Sequence, residues 1–308
     1  MPFAANPFDA LKGMAKYLRQ FRGKIFVIKL GGEVLDNAEA RKAVAEQLGV
    51  LWTLSIRIVI VHGGGSGVDS LCEKLALPIE KVQGRRVTTP AGLEAVKMVL
   101  AGSVHTDLLA ELNVAGLPCV GLSGIDAGMV RAHQRAPLYV GQHVDGPLQG
   151  QAKLIDYGLV ADIDDVDPAL LLTLLEKDYV PVICPLTCDA SGQVLNTNAD
   201  TIAAAVASAL NAEKLFFVLK VAGLLKDMSN PASVISFAAL NELEEMVARG
   251  EINGGMLPKT AAIRNALNHS VQSVHLVSGM QPDALLVEIF TNEGAGTKLV
   301  KEHEHSEH

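Results

Sequence analysis

Four short stretches of this chain set glycine, lysine and asparagine where a phosphate group can be held. The first is VIVHGGGSGVD, Val59 to Asp69, in which an aliphatic run leads into His62, Gly63, Gly64, Gly65, Ser66 and Gly67. Glycine suits places where the main chain must turn tightly or be approached closely. A glycine turn that opens a helix also presents unpaired N–H groups at the positive end of the helix dipole, a setting for an anion. The second stretch, Lys29-Leu30-Gly31-Gly32, puts a lysine and two glycines at the carboxyl end of an expected strand. The third, Leu195-Asn196-Thr197-Asn198-Ala199-Asp200, opens a helix with two amides and a carboxylate. The fourth, Gly254-Gly255-Met256-Leu257-Pro258-Lys259-Thr260, carries a second lysine just inside a helix preceded by glycines. Phosphoryl transfer is mostly positioning and charge neutralisation, and two lysines, two N–H cradles, an acid and amides suit it. Each piece alone also has a bland reading. A strand-end lysine is commonly a solvated charge, and Asn-Ala-Asp is commonly a helix cap.

Other glycine-rich sites fit less well. No G-x-x-x-x-G-K-[ST] string occurs. Gly65-Ser66-Gly67-Val68-Asp69-Ser70 supplies only two glycines of a dinucleotide fingerprint, and no strand-end carboxylate follows about twenty residues later. Val68 also breaks a G-x-S-x-G nucleophile elbow.

The elements that must position these groups alternate along the chain. Lys24–Lys29, Arg57–Val61, Cys119–Leu122, Val180–Pro185, Leu215–Leu219 and Ser273–Val277 read as strands. Helical spacing appears at Glu39–Thr53, Gly92–Val114, Pro168–Asp178, Asp200–Asn211, Phe237–Ala248, Pro258–Asn268 and Pro282–Phe290. The alternation predicts an α/β fold with an open, mainly parallel sheet sandwiched by helices. Met129–Asp167 breaks the rhythm and reads as an antiparallel excursion or loop. In parallel sheets ligands gather at the carboxyl edge of the strands, which brings the first two glycine stretches towards one site. Ahead of the first strand, Phe8, Leu11, Met14, Leu18 and Phe21 fall at helical spacing. That extra N-terminal helix packs on its own domain or on a partner subunit.

The 308 residues carry a net charge of −8 and 49% apolar residues. The acidic balance and the lack of a basic, aromatic-interleaved stripe argue against nucleic acid as a partner. The apolar runs are too short for a membrane span, and no signal-peptide core is seen at the start. Cys72, Cys119, Cys184 and Cys188 sit in apolar segments, as reduced cysteines of a cytoplasmic protein do. Cys184 and Cys188 have no matching second pair, so no metal site is expected, and the final KEHEHSEH (301–308) reads as a polar tail.

VIKLGGEVLD, IVIVHGGGSGVD, QGRRVTTP, LNTNAD, VAGLLKD and GGMLPKTAAIRNAL occur in this order. Together they resemble the amino-acid kinase family, and within it the acetylglutamate kinases, from about Lys24 to near Val300. The resemblance implies a substrate lobe at 24–190 that binds N-acetyl-L-glutamate and a lobe at 191–300 that binds ATP with Mg2+. It implies transfer of the γ-phosphoryl group to a side-chain carboxylate. In that scheme Lys29 and Lys259 neutralise charge and Asp200 holds both lysines. Gly32 and Gly64 give N–H groups to the phosphoryl oxygens, with Gly31, Gly63 and Gly65 shaping the loops. Arg86 clamps the substrate's α-carboxylate, and Asn196 and Asn198 bind its polar groups. A carboxylate is already ionised at pH 7, so no general base is required. Two other readings stay open: a kinase for an aminoadipate-type acceptor, and a non-catalytic arginine-sensing domain.

The pattern departs from those kinases at several points. Leu219-Lys220-Val221-Ala222-Gly223 stands where they usually show Thr-Asp-Val-x-Gly, and is similar to the Thr-Lys-Val-Asp-Gly of UMP kinases. It places Lys220 and Gly223 in the nucleotide lobe. GLSGIDAG has Ile125 where many relatives have lysine, and Gln142–Lys153 is longer and more polar than the usual hairpin. AKYLRQFRGKIFVIK resembles the N-terminal helix that joins arginine-inhibited relatives from dimers into hexamers, with Tyr17 in the matching place. EIFTNEGAGT resembles their arginine site, offering Glu288 and Gly296, although Asp283 stands where they have histidine. These features imply a homodimer or hexamer, built through residues 1–23, with L-arginine as feedback inhibitor.

Overall fold

The computed structural model describes residues 15–140, 153–227, 230, 233–252 and 254–302. Phe8, Leu11 and Met14, most of the 142–153 tract, and 303–308 of the tail lie outside the described residues.

The central strands form because their residues are β-branched or aromatic and apolar on both faces, as a covered parallel sheet requires. β1 (Ile25–Leu30), β2 (Arg57–His62), β10 (Val180–Cys184) and β5 (Cys119–Ser123) run in one direction from the centre. β13 (Lys214–Leu219), β15 (Ser273–Ser278), β16 (Thr297–Val300) and β14 (Phe237–Ala239) run in the other, completing one eight-stranded sheet. All its pairings are parallel except β15 with β16. Alternate residues feed two cores. Val27, Val59, Val61 and Phe217 pack on one face and Phe26, Ile28, Ile58, Ile60 and Phe216 on the other. α8 (Ala199–Ala209), α9 (Leu240–Ala248) and α10 (Met256–Asn268) cover the first face. α3 (Ala38–Thr53), α6 (Val104–Val114) and α11 (Ala284–Phe290) cover the second. The expected helix-sandwiched, mainly parallel sheet is present.

The chain leaves β1 towards β2 and later returns to lay β13 on the other side of β1. That reversal opens a crevice at the carboxyl ends of β1 and β13, where ligands of open α/β sheets bind. β1 there runs into the short α2 (Gly32–Leu35), and β2 into α4 (Gly65–Lys74). A second sheet of β12 (Val194–Asn196), β11 (Leu186–Cys188), β6 (Val130–Gln134) and β9 (Ala161–Val166) stands beside it. The antiparallel β6–β9 pair, and the hairpin of β7 (Leu138–Val140) with β8 (Lys153–Ile155), account for the break in rhythm after Met129.

Two elements differ from the sequence expectation. Gly92–Val114 is not one helix. α5 (Pro90–Lys97), started by Pro90 and the Thr89 cap, passes into wide π-type turns over Met98–Ser103. Gly102 leaves helical geometry there (φ −107°, ψ −105°), and α6 begins afresh. Phe237–Ala248 opens with strand β14, because Phe237–Ala239 pairs with β16 before α9 starts. The end of the N-terminal helix, α1 (15–21), packs on its own domain: Phe21 is buried and Tyr17 meets Phe290 edge-on. All four cysteines are free thiols, and burial pushes Cys119 and Cys184 up to about 12. Among the described residues no helix is long and apolar enough to cross a membrane.

Candidate active site

The floor of the crevice is a buried charge triad. Lys29, one residue before the end of β1, faces Asp200, the second residue of α8, while Lys259 reaches the same carboxylate from the first turn of α10. Lys259 Nζ donates to Asp200 Oδ2 at 2.9 Å, and Lys29 Nζ lies 2.8 Å from Oδ1. All three side chains are at most 10% exposed. Each carboxylate oxygen of Asp200 faces one ammonium group. Burial pulls the Asp200 carboxyl upward, but the two ammonium groups outweigh it and hold it well below the usual carboxylate range. Burial lowers the Lys259 ammonium, against the pull of Asp200. Two cations on one anion leave a net positive floor in low dielectric, where it acts strongly on phosphate.

Two glycine turns form the wall above it. Gly31 donates to Val218 O of β13 and Gly63 donates to Leu30 O, which ties both turns to the sheet. Among the described residues, the N–H groups of Gly32, Gly64 and Gly65 have no protein acceptor. These amides open α2 and α4, and a Cβ on Gly32 would lie 3.4 Å from the nitrogens of both Gly64 and Gly65. Two helix starts therefore meet at one point with their donors free.

The far wall carries recognition groups. β3 (Lys81–Val82) and β4 (Arg85–Arg86) form a hairpin whose loop residues Gln83 and Gly84 both have positive φ, as type I′ turns require. Arg86 Nη2 donates to Asp69 Oδ1 at 2.6 Å and to Gly65 O at 3.0 Å, and Lys81 Nζ reaches Asp69 Oδ2 at 2.6 Å. Asn198 is the N-cap of α8, accepting from Thr201 N, which leaves its amide hydrogens for a ligand. Asn196 Nδ2 donates to Thr88 Oγ1, leaving its carbonyl oxygen.

Lys29, Gly32, Gly63, Gly64, Gly65, Arg86, Asn196, Asn198 and Asp200 all line one cavity of about 260 Å³. Gly31 and Lys259 stand next to that lining, Gly31 as the residue before Gly32 and Lys259 through its bond to Asp200. Lys220 and Gly223 lie outside it, in the loop after β13, with Lys220 exposed and Gly223 against Thr297. Tyr17, Glu288 and Gly296 gather elsewhere, around α11. Tyr17 Oη donates to Asn292 Oδ1 (2.6 Å), and Glu288 accepts from His275 Nδ1 (2.6 Å) and from the N–H groups of Ala295 and Gly296. Sequence reasoning missed Asp69, Lys81 and Arg85 as cavity-side residues. Asp69, one turn into α4 from the glycine loop, was the available signal.

Residues 24–278 match the model of the Amino acid kinase family. The chain belongs to that family. It is 56% identical over 302 residues to the acetylglutamate kinase of Myxococcus xanthus, covering 98% of this chain and 97% of that one. It is 39% identical over 286 residues to the acetylglutamate kinase of Methanococcus maripaludis, covering 93% and 95%. Among solved structures, it superposes with a TM-score of 0.79 and 25% identity on N-acetylglutamate synthase from Neisseria gonorrhoeae, complexed with coenzyme A and N-acetyl-glutamate. That match covers 96% of this chain but only 64% of the synthase.

Proposed function

We propose that this family member transfers the γ-phosphoryl group of MgATP to the side-chain carboxylate of N-acetyl-L-glutamate, in the cytoplasm, as a step of arginine biosynthesis. The observation that carries this is the Lys29–Asp200–Lys259 triad beneath the unpaired amides of Gly32, Gly64 and Gly65, in a chain so similar to acetylglutamate kinases. A carboxylate oxygen forms the new bond to Pγ, and the electrons of the breaking bond go to the ADP oxygen. Lys29 and the glycine amides take up charge on the equatorial phosphoryl oxygens, and Lys259 takes it up on the leaving side. Asp200 acts as neither acid nor base; it stays ionised and fixes both lysines. The aligned cations and amides supply the electrostatic stabilisation such transfers depend on.

The free edge of Arg86 binds the α-carboxylate, and Asn196 and Asn198 bind the remaining polar groups of the substrate. Residues 24–190 form the acyl-substrate lobe and 191–300 the nucleotide lobe, where Lys220 faces the phosphates of ATP near Gly223. Mg2+ enters with the nucleotide as part of the substrate. ADP release from MgATP, compared between N-acetyl-L-glutamate and N-acetyl-L-aminoadipate, tests the acceptor. A kcat/KM favouring the glutamate is expected; preference for the longer acid overturns it.

We further propose that L-arginine is a feedback ligand of the Tyr17, Glu288 and Gly296 region, and that residues 1–23 join subunits into a dimer or hexamer. Glu288 keeps one acceptor site on Oε1 beyond its three present donors, enough for a guanidinium. Inhibition by L-arginine that Tyr17→Ala weakens is the expected result; an unchanged rate in the wild type removes this ligand.

A further inference from the structure

Behind the glycine loop lies a buried histidine pair that the phosphoryl chemistry above does not use. His62, the last residue of β2, has Nδ1 2.8 Å from Gly63 O and Nε2 2.8 Å from His105 Nδ1. His62 is fully buried and His105 is 7% exposed. A carbonyl oxygen only accepts, so the proton on His62 sits at Nδ1. Its Nε2 is then a lone pair, and His105 Nδ1 must be the donor. The chain of hydrogen bonds has one direction: His105 to His62 to Gly63.

The Gly63 carbonyl shares a planar, trans peptide with the Gly64 N–H, and the two point in opposite directions. Fixing that carbonyl therefore fixes where the Gly64 N–H points. We propose that His105 is a positioning residue for the phosphoryl-binding loop, acting through His62 to aim the Gly64 amide; this rests on the kinase reading.

The helix that carries His105 is shaped for the task. The π-type turns and the kink at Gly102 set α6 at a new start, and the same segment supplies Leu100 and Val104 as backing for the loop. A Cβ on Gly64 would lie 2.8 Å from Leu100 Cδ2. On the other side, a Cβ on Gly121 of β5 would lie 2.4 Å from His105 Nε2, so glycine there makes room for the ring. π-type bulges recur at functional sites, and this one sets Leu100 against the loop while the α6 it leads into brings His105 behind it.

The chain of hydrogen bonds needs a neutral His62, because a proton on its Nε2 would face the N–H of His105, whereas His105 donates from Nδ1 in either protonation state. The charged and titratable groups acting here are His105 and Lys29 on His62, and Asp126 on His105. Burial first, then His105 and Lys29, push His62 down to about 4 against the pull of the Gly63 carbonyl. Burial also lowers His105, against Asp126.

Steady-state kinetics of His105→Leu and His105→Asn test the proposal, because Asn Nδ2 occupies the place of His Nδ1 and still donates. His105→Leu is expected to lower kcat about tenfold with both KM values within about twofold, and His105→Asn to return kcat to within about threefold of wild type. A His105→Leu kcat within about twofold of wild type, or a His105→Asn variant no better than the leucine, overturns it. Imidazole 15N shifts of the whole protein at pH 7 give a second readout, independent of turnover and of whether the leucine variant folds. Protons on Nδ1 of both His62 and His105 are expected, and a proton on His62 Nε2 overturns the proposal. A wild type without kinase activity would instead overturn the functional reading, and the 15N pattern would still decide the pair.

Discussion

At the scale of single residues, charge is placed in two tiers. Lys29 and Lys259 share the buried Asp200, while Arg86 and Lys81 share the half-exposed Asp69. In each tier a carboxylate fixes two cations and leaves a positive balance for an anionic ligand. Hydrogen bonds from Lys81 and Arg86 hold the Asp69 carboxyl below its ordinary value despite partial burial. Asp69→Ala removes the carboxylate that both cations share, leaving Lys81 loose and Arg86 held only at Gly65 O, while Lys29, Asp200 and Lys259 keep their contacts. The expected effect is a KM for N-acetyl-L-glutamate raised about tenfold at nearly unchanged kcat. Steady-state kinetics with saturating MgATP check it; an unchanged KM would remove Asp69 from substrate recognition.

At the scale of elements, the hairpin of β3 and β4 meets the loop that starts α10. Gly84 has φ +75°, and a Cβ there would lie 2.9 Å from Gly255 Cα. Alanine at that position is strained by its own backbone and pushes the hairpin away from the loop. Gly84→Ala is expected to raise the KM for the acyl substrate about tenfold with the fold intact, because Arg86 moves with the hairpin. Circular dichroism beside kinetics separates this from unfolding.

The same elements show what can be read from a sequence. The central strands and both glycine turns were legible because long apolar runs and glycine punctuation are local signals. Lys29, Asp200 and Lys259 were each legible as a strand end or helix start, but their contact came only through the family resemblance, since it is made by folding distant segments together. The Asp69–Arg86 and His62–His105 contacts, 17 and 43 residues apart, leave no periodic trace for the same reason. The break in Gly92–Val114 escaped because the apolar spacing continues through Gly102 while the backbone does not. β14 and β16, three and four residues long, were too short to stand out.

At the scale of the whole molecule, burial of neutral histidines sets its response to acid. His62 and His275 fall from an ordinary 6.5 to about 4, chiefly through burial. Above pH 6.5 both are neutral folded or unfolded and contribute no pH dependence. As pH falls from about 6.5 towards 4 only the unfolded chain takes up these protons, so stability declines by about 1.4 kcal/mol per pH unit for each histidine. Asp200, held low in the fold, adds its loss only below its ordinary 3.8. Denaturant unfolding measured between pH 7 and 4.5 should give a slope reaching at least about two protons, since His105 is lowered as well, and His275→Gln should remove one. A flat profile would mean that these rings are protonated in the native state.

The most direct test of the chemistry is hydroxylamine trapping of acyl phosphate from MgATP and N-acetyl-L-glutamate, with Lys259→Ala beside the wild type. Hydroxamate from the wild type and a loss of at least about a hundredfold in the variant are predicted, as for removal of one electrostatic stabiliser of a transition state. A folded wild type that yields no hydroxamate, or a Lys259→Ala variant as active as the wild type, would contradict the assignment of the triad to phosphoryl transfer.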